Sequence, residues 1–167
     1  MNKIIKDIEK YIPYNEQEEH DKKVMLELLN TNKNLLDRNI LEYHVTASSW
    51  IVNEDYNKVL MVYHNIYDSW SWIGGHADGE EDLAKVALRE LKEETGVDAA
   101  IIKYIGKSQY SFNVPEDTVE KDVHWYLMMA DNYYSKPQRE EYFVDSGYYK
   151  FHEAYHLLKF SNVTVIV

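Results

Sequence analysis

Cysteine is absent from the 167 residues of this chain, and residues that break regular structure are scarce, with 6 Gly and 3 Pro. The absence of cysteine excludes a disulfide framework and any chemistry that needs a thiol. No apolar run approaches the length that spans a membrane, and the N-terminus has no apolar stretch of signal-peptide length. These absences predict a soluble, cytoplasmic protein whose chemistry depends on other side chains.

Basic residues are also few: the chain has 18 Lys and Arg but 29 Asp and Glu, so its formal net charge is −11. Such a chain has no overall field to attract polyanions, so we expect neither duplex nucleic acid nor a membrane among its partners. A small phosphate ester would need local positive charge, which metal ions and a few Lys and Arg side chains would supply. The length predicts one domain with a substantial core.

Residues 75–97 form the most informative segment, because acidic residues recur in it at helical spacing. If Asp82–Thr95 is a helix, Glu90, Glu93 and Glu94 lie within roughly a third of its circumference. Carboxylates crowded on one face repel each other, and hard divalent cations with oxygen ligands, such as Mg²⁺, offset that repulsion. The segment therefore predicts a metal site, with a solvated acidic helix face as the simpler alternative.

Residues around these glutamates have spacings that would hold such a site in place. Arg89 is spaced to pair with Glu93 one turn later, and its planar fork can hold a carboxylate in one orientation. Gly96 lies where a left-handed residue would end the helix. Gly74 and Gly75 permit a tight backbone bend that can direct a carbonyl towards the metal.

Turn residues and periodicity place the other elements. Two N-terminal helices are predicted, the first ended by Pro13 and the second capped by Asn15 with Glu18. The helix at the acidic segment begins at Asp78 or Asp82, because Asp78 and Glu81 have capping-box spacing. The predicted strands cover residues 43–52, 58–63, 100–112 with a break at Gly106, 123–129 and 142–151; a polar loop covers 113–122, and a last helix covers 152–160.

Residues 75–97 match every position of the Nudix box, and the chain resembles the Nudix hydrolases, with looser similarity from about Tyr43 to Phe160. Its Gly74–Gly79 run is similar to a bacterial subgroup of that family. The tail resembles diadenosine-polyphosphate-type members, although Tyr149 stands near the place where those usually have Trp. The resemblance implies an α/β fold, an α/β/α sandwich with a mixed sheet over residues 43–167.

Residues 1–42 are expected to form an N-terminal helical extension packed on this domain. Simple packing is the plainest role for it. A lid over the site, a substrate-specificity element and a homodimer contact are the alternatives that the sequence leaves open.

The resemblance further implies metal-dependent hydrolysis of a diphosphate linkage in a small substrate of the type nucleoside diphosphate linked to X. The cofactor would be Mg²⁺ or Mn²⁺, bound by Glu90, Glu93, Glu94 and the carbonyl of Gly74. The sequence does not identify the group X; the candidate substrates include dinucleoside polyphosphates, ADP-ribose, oxidised or ordinary nucleoside triphosphates, and nucleotide sugars.

The remaining roles follow from the same resemblance. Arg89 would orient a carboxylate, Glu81 would bind the metal through water or brace the box, and Gly75 and Gly96 would be structural. An acidic residue outside the box is expected to complete the site. Glu141 is the first choice, ahead of Glu140 and Glu116, and the general base is either Glu90 or a loop carboxylate such as Glu141.

Aromatic and histidine side chains near the box are candidates for substrate contact. Trp70 and Tyr110 flank the box and could stack a nucleobase, while His76, with His44 and His124, could contact phosphate. Packing aromatics and structural histidines are the simpler alternatives for all five.

Two other functions compete with the hydrolase. An isoprenoid-diphosphate isomerase uses a related fold but would need a reactive cysteine, which this chain lacks. A catalytically inactive Nudix-fold module that binds a nucleotide and regulates another process is the other alternative. The presence of every box carboxylate and the lack of an attached DNA-binding domain favour the enzyme.

Overall fold

The computed structural model describes residues 2–31, 35–39, 43–114 and 117–158. The helices are α1 (Asn2–Lys10), α2 (Glu16–Thr31), α3 (Leu83–Thr95) and α4 (Phe151–Leu157), and a single 3₁₀ turn covers Arg139–Glu141. The strands are β1 (Tyr43–Val52), β2 (Lys58–His64), β3 (Ser69–Ser71), β4 (Ile73–His76), β5 (Ala100–Val114), β6 (Asp117–Met129) and β7 (Phe143–Lys150). No helix in these ranges is both long and apolar enough to cross a bilayer.

All the strands belong to one sheet, whose main path runs β3-β2-β1-β6-β5, with β4 paired to β1 and β7 paired to β2. Strands β1 and β6 are parallel, from Tyr43 opposite Glu120 to Val52 opposite Met129. The other pairings are antiparallel. The prediction of an α/β fold with a mixed sheet is therefore confirmed.

The alternation of side chains along β1 divides the core into two layers. Val45, Ala47 and Ile51 face one side, where α1, α2 and α3 pack, and Trp50 and Val52 face the side covered by α4. Both faces of the central strand are apolar because helices cover both sides of the sheet. This arrangement is the predicted three-layer sandwich.

The N-terminal helices pack on the α3 side of the sheet. Ile4 and Ile8 of α1 and Met25 and Leu29 of α2 are buried in the same layer as the box helix. Helix α1 ends at Lys10, before Pro13, where the Lys22 ammonium donates to the carbonyls of Glu9 and Tyr11, both at 2.7 Å. These two hydrogen bonds satisfy carbonyls at and just after the helix end that have no intrahelical partner.

The Asn15 cap of α2 forms as predicted in its first half, because the Glu18 N–H donates to Asn15 Oδ1 at 2.9 Å. The Glu18 carboxylate accepts from the Tyr14 N–H at 2.7 Å and not from the N–H of the capping residue. The extension therefore enters α2 through a locally hydrogen-bonded turn.

Residues 113–114 and 117–122, predicted as part of a polar loop, instead belong to strands β5 and β6, which pair from Ala100 opposite Met129 to Val114 opposite Asp117. The loop prediction was wrong for these residues because cross-strand hydrogen bonds satisfy the backbone of a strand whatever the polarity of its side chains. The predicted break at Gly106 is a register shift, with φ of +136°. The final helix ends at Leu157, and residues 159–167 lie outside the described residues.

A buried polar cluster joins α2 to the sheet. Lys107 Nζ lies 3.6 Å from Asp122 Oδ1 and donates to the carbonyl of Asp21 at 2.7 Å. The Tyr43 hydroxyl donates to Asp122 Oδ2 at 2.7 Å. Burial raises the pKa of Asp122 and lowers that of Lys107, and the opposite charge of each partner counteracts the shift. Removing either partner of such a buried pair would strongly destabilise the fold, because the other charge would stay buried without compensation.

We expect His124 to make the folded state sensitive to acid. The side chain is buried, its Nδ1 lies 3.0 Å from the Tyr104 hydroxyl, and burial, helped by the Lys107 charge, lowers its pKa from 6.5 to about 3. The folded pKa is depressed, so the stability contributed by neutral His124 is complete above pH 6.5 and declines as the pH falls towards 3. At pH 5 the loss from this group is about 2 kcal/mol.

Urea unfolding at pH 7.5 and pH 5.0 measures this loss. In the variant His124→Gln, the difference in free energy of unfolding between the two pH values should shrink by about 2 kcal/mol. His152→Gln, at an exposed position of α4, should leave the difference unchanged. An equal pH dependence in His124→Gln and the parent chain would contradict the assignment.

Candidate active site

The box helix α3 forms where an apolar stripe meets the sheet. Leu83, Val86, Ala87 and Leu91 are buried against the sheet, and the polar residues of the box occupy the rest of the surface. Gly96 ends the helix at φ of +70°, with its N–H donating to Lys92 O at 2.9 Å, as predicted. This left-handed position favours glycine because it has no Cβ.

Of the two predicted starts of α3, the structure confirms Asp82, which is the N-cap but makes no side-chain capping bond. The alternative, a capping box of Asp78 with Glu81, is wrong. Asp78 lies four residues before Asp82, at a positive φ of 50°, and binds Arg38. Its carboxylate is therefore engaged by a charged partner away from the helix end, while Glu80 Oε1 accepts the Asp82 N–H at 2.8 Å.

Gly74 and Gly75, where the box begins, have no side chain, and this leaves room on opposite sides of β4. Gly74 pairs with Ser48 and Gly75 with Ala47 on β1. A Cβ at Gly75 would collide with the carboxylate of Glu90, whereas a Cβ at Gly74 would lie 2.6 Å from the Ala47 carbonyl oxygen. Gly75 therefore leaves room for Glu90, and Gly74 leaves room for the adjacent strand.

Arg89 fixes the position of the Glu90 carboxylate. Its Nη2 donates to Glu90 Oε1 at 2.7 Å and to the carbonyl of His76 at 3.0 Å. The predicted partner, Glu93, is more distant, with 3.8 Å between Arg89 Nε and Glu93 Oε2. The predicted ion pair of Arg89 with Glu93 is therefore present, but the shorter bond is to Glu90, which the spacing did not indicate, because Glu90 lies over Gly75 and the His76 carbonyl supplies a second acceptor beside it.

The three box glutamates differ in exposure. The side chain of Glu93 is 52% exposed, that of Glu90 is 14% exposed, and Glu94 is buried at 3%. Within the described ranges, no group of three or more His, Asp or Glu side chains is arranged to hold a metal ion. The available donors, carboxylates together with the backbone carbonyl of Gly74, are oxygens of the kind that Mg²⁺ and Mn²⁺ bind. The residues fit such a cation in type, and their roles as ligands stay a prediction.

A segment after β6 docks on the C-terminal end of the box helix. The N–H of Gln138 donates to Glu94 O at 2.9 Å, and that of Lys136 donates to Thr95 O at 2.8 Å. These bonds satisfy carbonyls at the end of α3. The 3₁₀ turn that follows carries exposed Glu140 and the backbone of Glu141. The side chain of Glu141 and the whole of Glu116 lie outside the described residues, so both roles remain predictions.

A basic cluster lies beside the box loop on the α4 side of the sheet. His44 Nδ1 and His76 Nε2 are 3.0 Å apart, and Lys121 pairs with His44 across β1 and β6. Burial lowers the pKa of half-buried Lys121, and burial followed by the charge of Lys121 lowers that of His76 to about 4. Among the described side chains, no carboxylate lies within ion-pair distance of Lys121. This ammonium is therefore a candidate for contact with an anion.

Sequence reasoning named His44 and His76 but missed Lys121, because it assigned residue 121 to a polar loop. A period-two alternation was the available signal. Lys121, Val123 and Trp125 occupy every second position, so they share one face of β6.

The predicted stacking aromatics lie on separate strands. Trp70 on β3 packs edge-on against Tyr149 at 4.9 Å and Tyr63 at 5.4 Å. Tyr110 on β5 is half-buried, and burial, followed by the nearby phenol of Tyr67, raises its pKa. The contacts of Trp70 are packing contacts beneath α4, and a substrate role for either residue remains a prediction.

A cleft of about 880 Å³ runs along β5, with Trp50, Ile105, Leu127 and Phe151 among its lining residues. None of its lining residues belongs to the box. One of its lining residues, Trp50, is two residues along β1 from Ser48, the partner of Gly74. That spacing corresponds to roughly 7 Å on the same face of the strand.

The sequence matches the family model of the NUDIX domain over residues 42–164. It is 28% identical over 107 residues to the RNA pyrophosphohydrolase of Sphingopyxis alaskensis, an alignment that covers 56% of this chain and 67% of that protein. It is 37% identical over 59 residues, 35% of this chain, to a Mycobacterium tuberculosis protein named as mutator protein MutT4, of which this chain spans only 24%.

Solved structures show the same fold at low sequence identity. The C. elegans Ap4A hydrolase aligns with a TM-score of 0.61 and 16% identity, covering 74% of this chain and 91% of that one. The E. coli dihydroneopterin triphosphate pyrophosphohydrolase aligns with a TM-score of 0.62 and 19% identity, covering 75% and 94%. The NUDIX domain of Shewanella oneidensis NrtR, complexed with ADP ribose, aligns with a TM-score of 0.60 and 19% identity, covering 84% and 92%.

Proposed function

The chain belongs to the Nudix family of hydrolases that act on phosphorus-containing anhydrides, and from that premise we propose that it cleaves the diphosphate linkage of a nucleoside diphosphate joined to a second group X. The proposed cofactor is Mg²⁺ or Mn²⁺. The observation that carries the proposal is the seating of the Glu90 carboxylate over Gly75, with Arg89 holding it at 2.7 Å.

Water attacks one phosphorus of the diphosphate in line with the leaving phosphate. When bound, a divalent cation would neutralise charge on the phosphate oxygens and would lower the pKa of the attacking water. Glu90, Glu93 and Glu94 are the residues that would hold the cation, and their negative charge would retain it. Arg89 keeps Glu90 in one orientation, so little reorganisation is needed when the substrate arrives. The proton of the water passes to Glu90 or to Glu141.

The substrate phosphates face the basic cluster of His44, His76 and Lys121 in this proposal. A half-buried ammonium with no carboxylate partner among the described side chains gains most from an anion that replaces the water it has lost. The group X extends along the α4 side of the sheet into the cleft that Trp50 helps to line. Its volume of about 880 Å³ is within the range of small-molecule sites.

The net charge of −11 favours a small substrate over a long polyanion. The names of the similar proteins suggest compounds to test: dinucleoside polyphosphates, ADP-ribose, and pterin or nucleoside triphosphates. Oxidised nucleotides and nucleotide sugars complete the panel.

Turnover of this panel with Mg²⁺ and with Mn²⁺ tests the proposal. Phosphate release with and without added phosphatase distinguishes cleavage inside the diphosphate from release of terminal phosphate, and mass spectrometry of the products locates the broken bond. Turnover of at least one compound, dependent on the metal, supports the hydrolase. Tight binding of one nucleotide without turnover of any compound would instead support the inactive binding module.

Replacing Lys121 with Met is expected to raise KM about tenfold for the best substrate of that panel. A hydrogen bond to a charged group contributes about 1.5–3 kcal/mol, and about 1.4 kcal/mol corresponds to tenfold in affinity. The matched control is Lys6→Met, at an exposed position on α1. Steady-state kinetics of both variants give the answer, and an unchanged KM in Lys121→Met would remove Lys121 from the substrate site.

A further inference from the structure

The segment between α2 and β1 contacts the loop that leads into the box helix. Arg38 Nε donates to Asp78 Oδ1 at 2.6 Å, and Arg38 Nη2 donates to Asp78 Oδ2, so the guanidinium holds both carboxylate oxygens. The N–H of Gly79 donates to the carbonyl of Leu36 at 2.9 Å. This loop is therefore held by residues that precede the matched family domain, which starts at residue 42.

A second contact from the extension reaches the start of the box helix itself. Lys3 Nζ on α1 lies 2.5 Å from Asp82 Oδ1, the N-cap of α3. The bond from Lys3 lowers the pKa of Asp82, as the bond from Arg38 lowers the pKa of Asp78. Two acidic residues of the loop, Asp78 and Asp82, are thus paired with cations of the N-terminal segment.

Asp78 is placed between two arginines that compete for it. Its Oδ2 binds Arg38 and lies 4.0 Å from Arg89 Nη2. That same nitrogen of Arg89 donates to Glu90 Oε1 at 2.7 Å and to the His76 carbonyl at 3.0 Å. A carboxylate freed from Arg38 would attract Arg89 and draw it away from Glu90.

An ordinary exposed ion pair contributes little to stability, and the Arg38 side chain is 58% exposed. The bond to Asp78 differs because it is bidentate, which restricts the carboxylate to one orientation. It also acts on a residue with a positive φ of 50°, which the rest of the loop must hold in place.

We propose that Arg38 is a positioning residue for the metal site: by occupying both oxygens of Asp78, it keeps Arg89 directed at Glu90. The N-terminal segment is then part of the catalytic apparatus and not only a packed extension. This inference rests on the proposed function, because it assumes that Glu90 binds a cation.

The test is the dissociation constant of Mn²⁺ for the full chain without substrate, measured from the electron paramagnetic resonance signal of free Mn²⁺. We expect Arg38→Met to weaken Mn²⁺ binding about tenfold, the lower end of the range for residues that support metal ligands. The double variant Arg38→Met, Asp78→Asn should recover to within about threefold of the parent chain, because no carboxylate remains to draw Arg89 away.

The matched control is Lys23→Met on α2, which removes an exposed ion pair to Glu19 at 3.0 Å in the same extension but away from the box. It should leave the dissociation constant unchanged, and thermal unfolding confirms that the compared variants are folded. If Arg38 only docked the N-terminal segment, Mn²⁺ binding would not recover in the double variant, because that variant also lacks the ion pair of Arg38 with Asp78.

The outcomes separate this inference from the proposed function. If the parent chain binds no Mn²⁺, both are overturned. If it binds Mn²⁺ and Arg38→Met binds equally well, or if the double variant is as weak as Arg38→Met, only the positioning role of Arg38 is overturned.

Discussion

Replacing Glu93 or Glu94 with Gln is expected to lower kcat about 10²–10³-fold, because each change removes a negative charge proposed to retain the divalent cation. Lewis-acid stabilisation by a bound cation contributes several kcal/mol, and each 1.36 kcal/mol corresponds to tenfold in rate. Gln has nearly the same size as Glu. The fold should therefore remain intact at exposed Glu93 and at buried Glu94 alike.

Steady-state kinetics over a range of Mg²⁺ concentrations measure this effect, with unfolding curves to establish that each variant is folded. Glu19→Gln on α2 is the control, since it removes an acidic side chain that is 60% exposed and lies outside the box. Near-normal kcat in both box variants at every Mg²⁺ concentration would refute the assignment of the site.

Gly75→Ala and Gly74→Ala are expected to damage different properties, although the two residues are adjacent. A Cβ at Gly75 meets the Glu90 carboxylate, which is the free end of a flexible side chain and can move. We therefore expect about a 10²-fold loss of kcat, because displacing a catalytic group by about 1 Å can have an effect of that size. The free energy of unfolding should change little.

Gly74→Ala should instead destabilise the fold. Its Cβ would lie 2.6 Å from the Ala47 carbonyl oxygen and 2.8 Å from Ser48 Cα, and these backbone atoms cannot move without disturbing the pairing of β1 with β4. The expected loss is about 1–3 kcal/mol, the usual effect of inserting a group into a well-packed region.

Urea unfolding and kcat, measured on the same preparations, distinguish the two effects. Gly147→Ala on β7 is the control, because the nearest atom to its added Cβ, on Tyr149, is 3.4 Å away. Full kcat in Gly75→Ala would show that catalysis does not depend on the position of the Glu90 carboxylate above that glycine.

Local features of the site could be predicted from the sequence because they depend on residues close together in the chain. The end of α3 at Gly96 and its buried stripe of Leu83, Val86, Ala87 and Leu91 follow from helical periodicity and from the conformational freedom of glycine. The mixed sheet follows from strands on both sides of one helix together with the family resemblance.

Contacts between distant segments escaped prediction. The spacing of Arg89 and Glu93 suggested a pair, but the His76 carbonyl and the room above Gly75 direct Arg89 to Glu90. Lys121 was missed because its segment is polar and polar segments are typical of loops. Its strand conformation depends on pairing with β1 and β5, which composition does not reveal.

The chain alone therefore determined the family and the reaction class, because the Nudix box encodes them in the order and spacing of a few glycines, glutamates and one arginine. Only the tertiary structure shows that Arg89 holds Glu90 and that the Lys121 ammonium lies on the α4 side of the sheet beside the box. It also brings Arg38 of the N-terminal segment to Asp78. These arrangements depend on competition among groups far apart in sequence. The outcome of that competition is set by distance and burial, and only the folded chain defines those quantities.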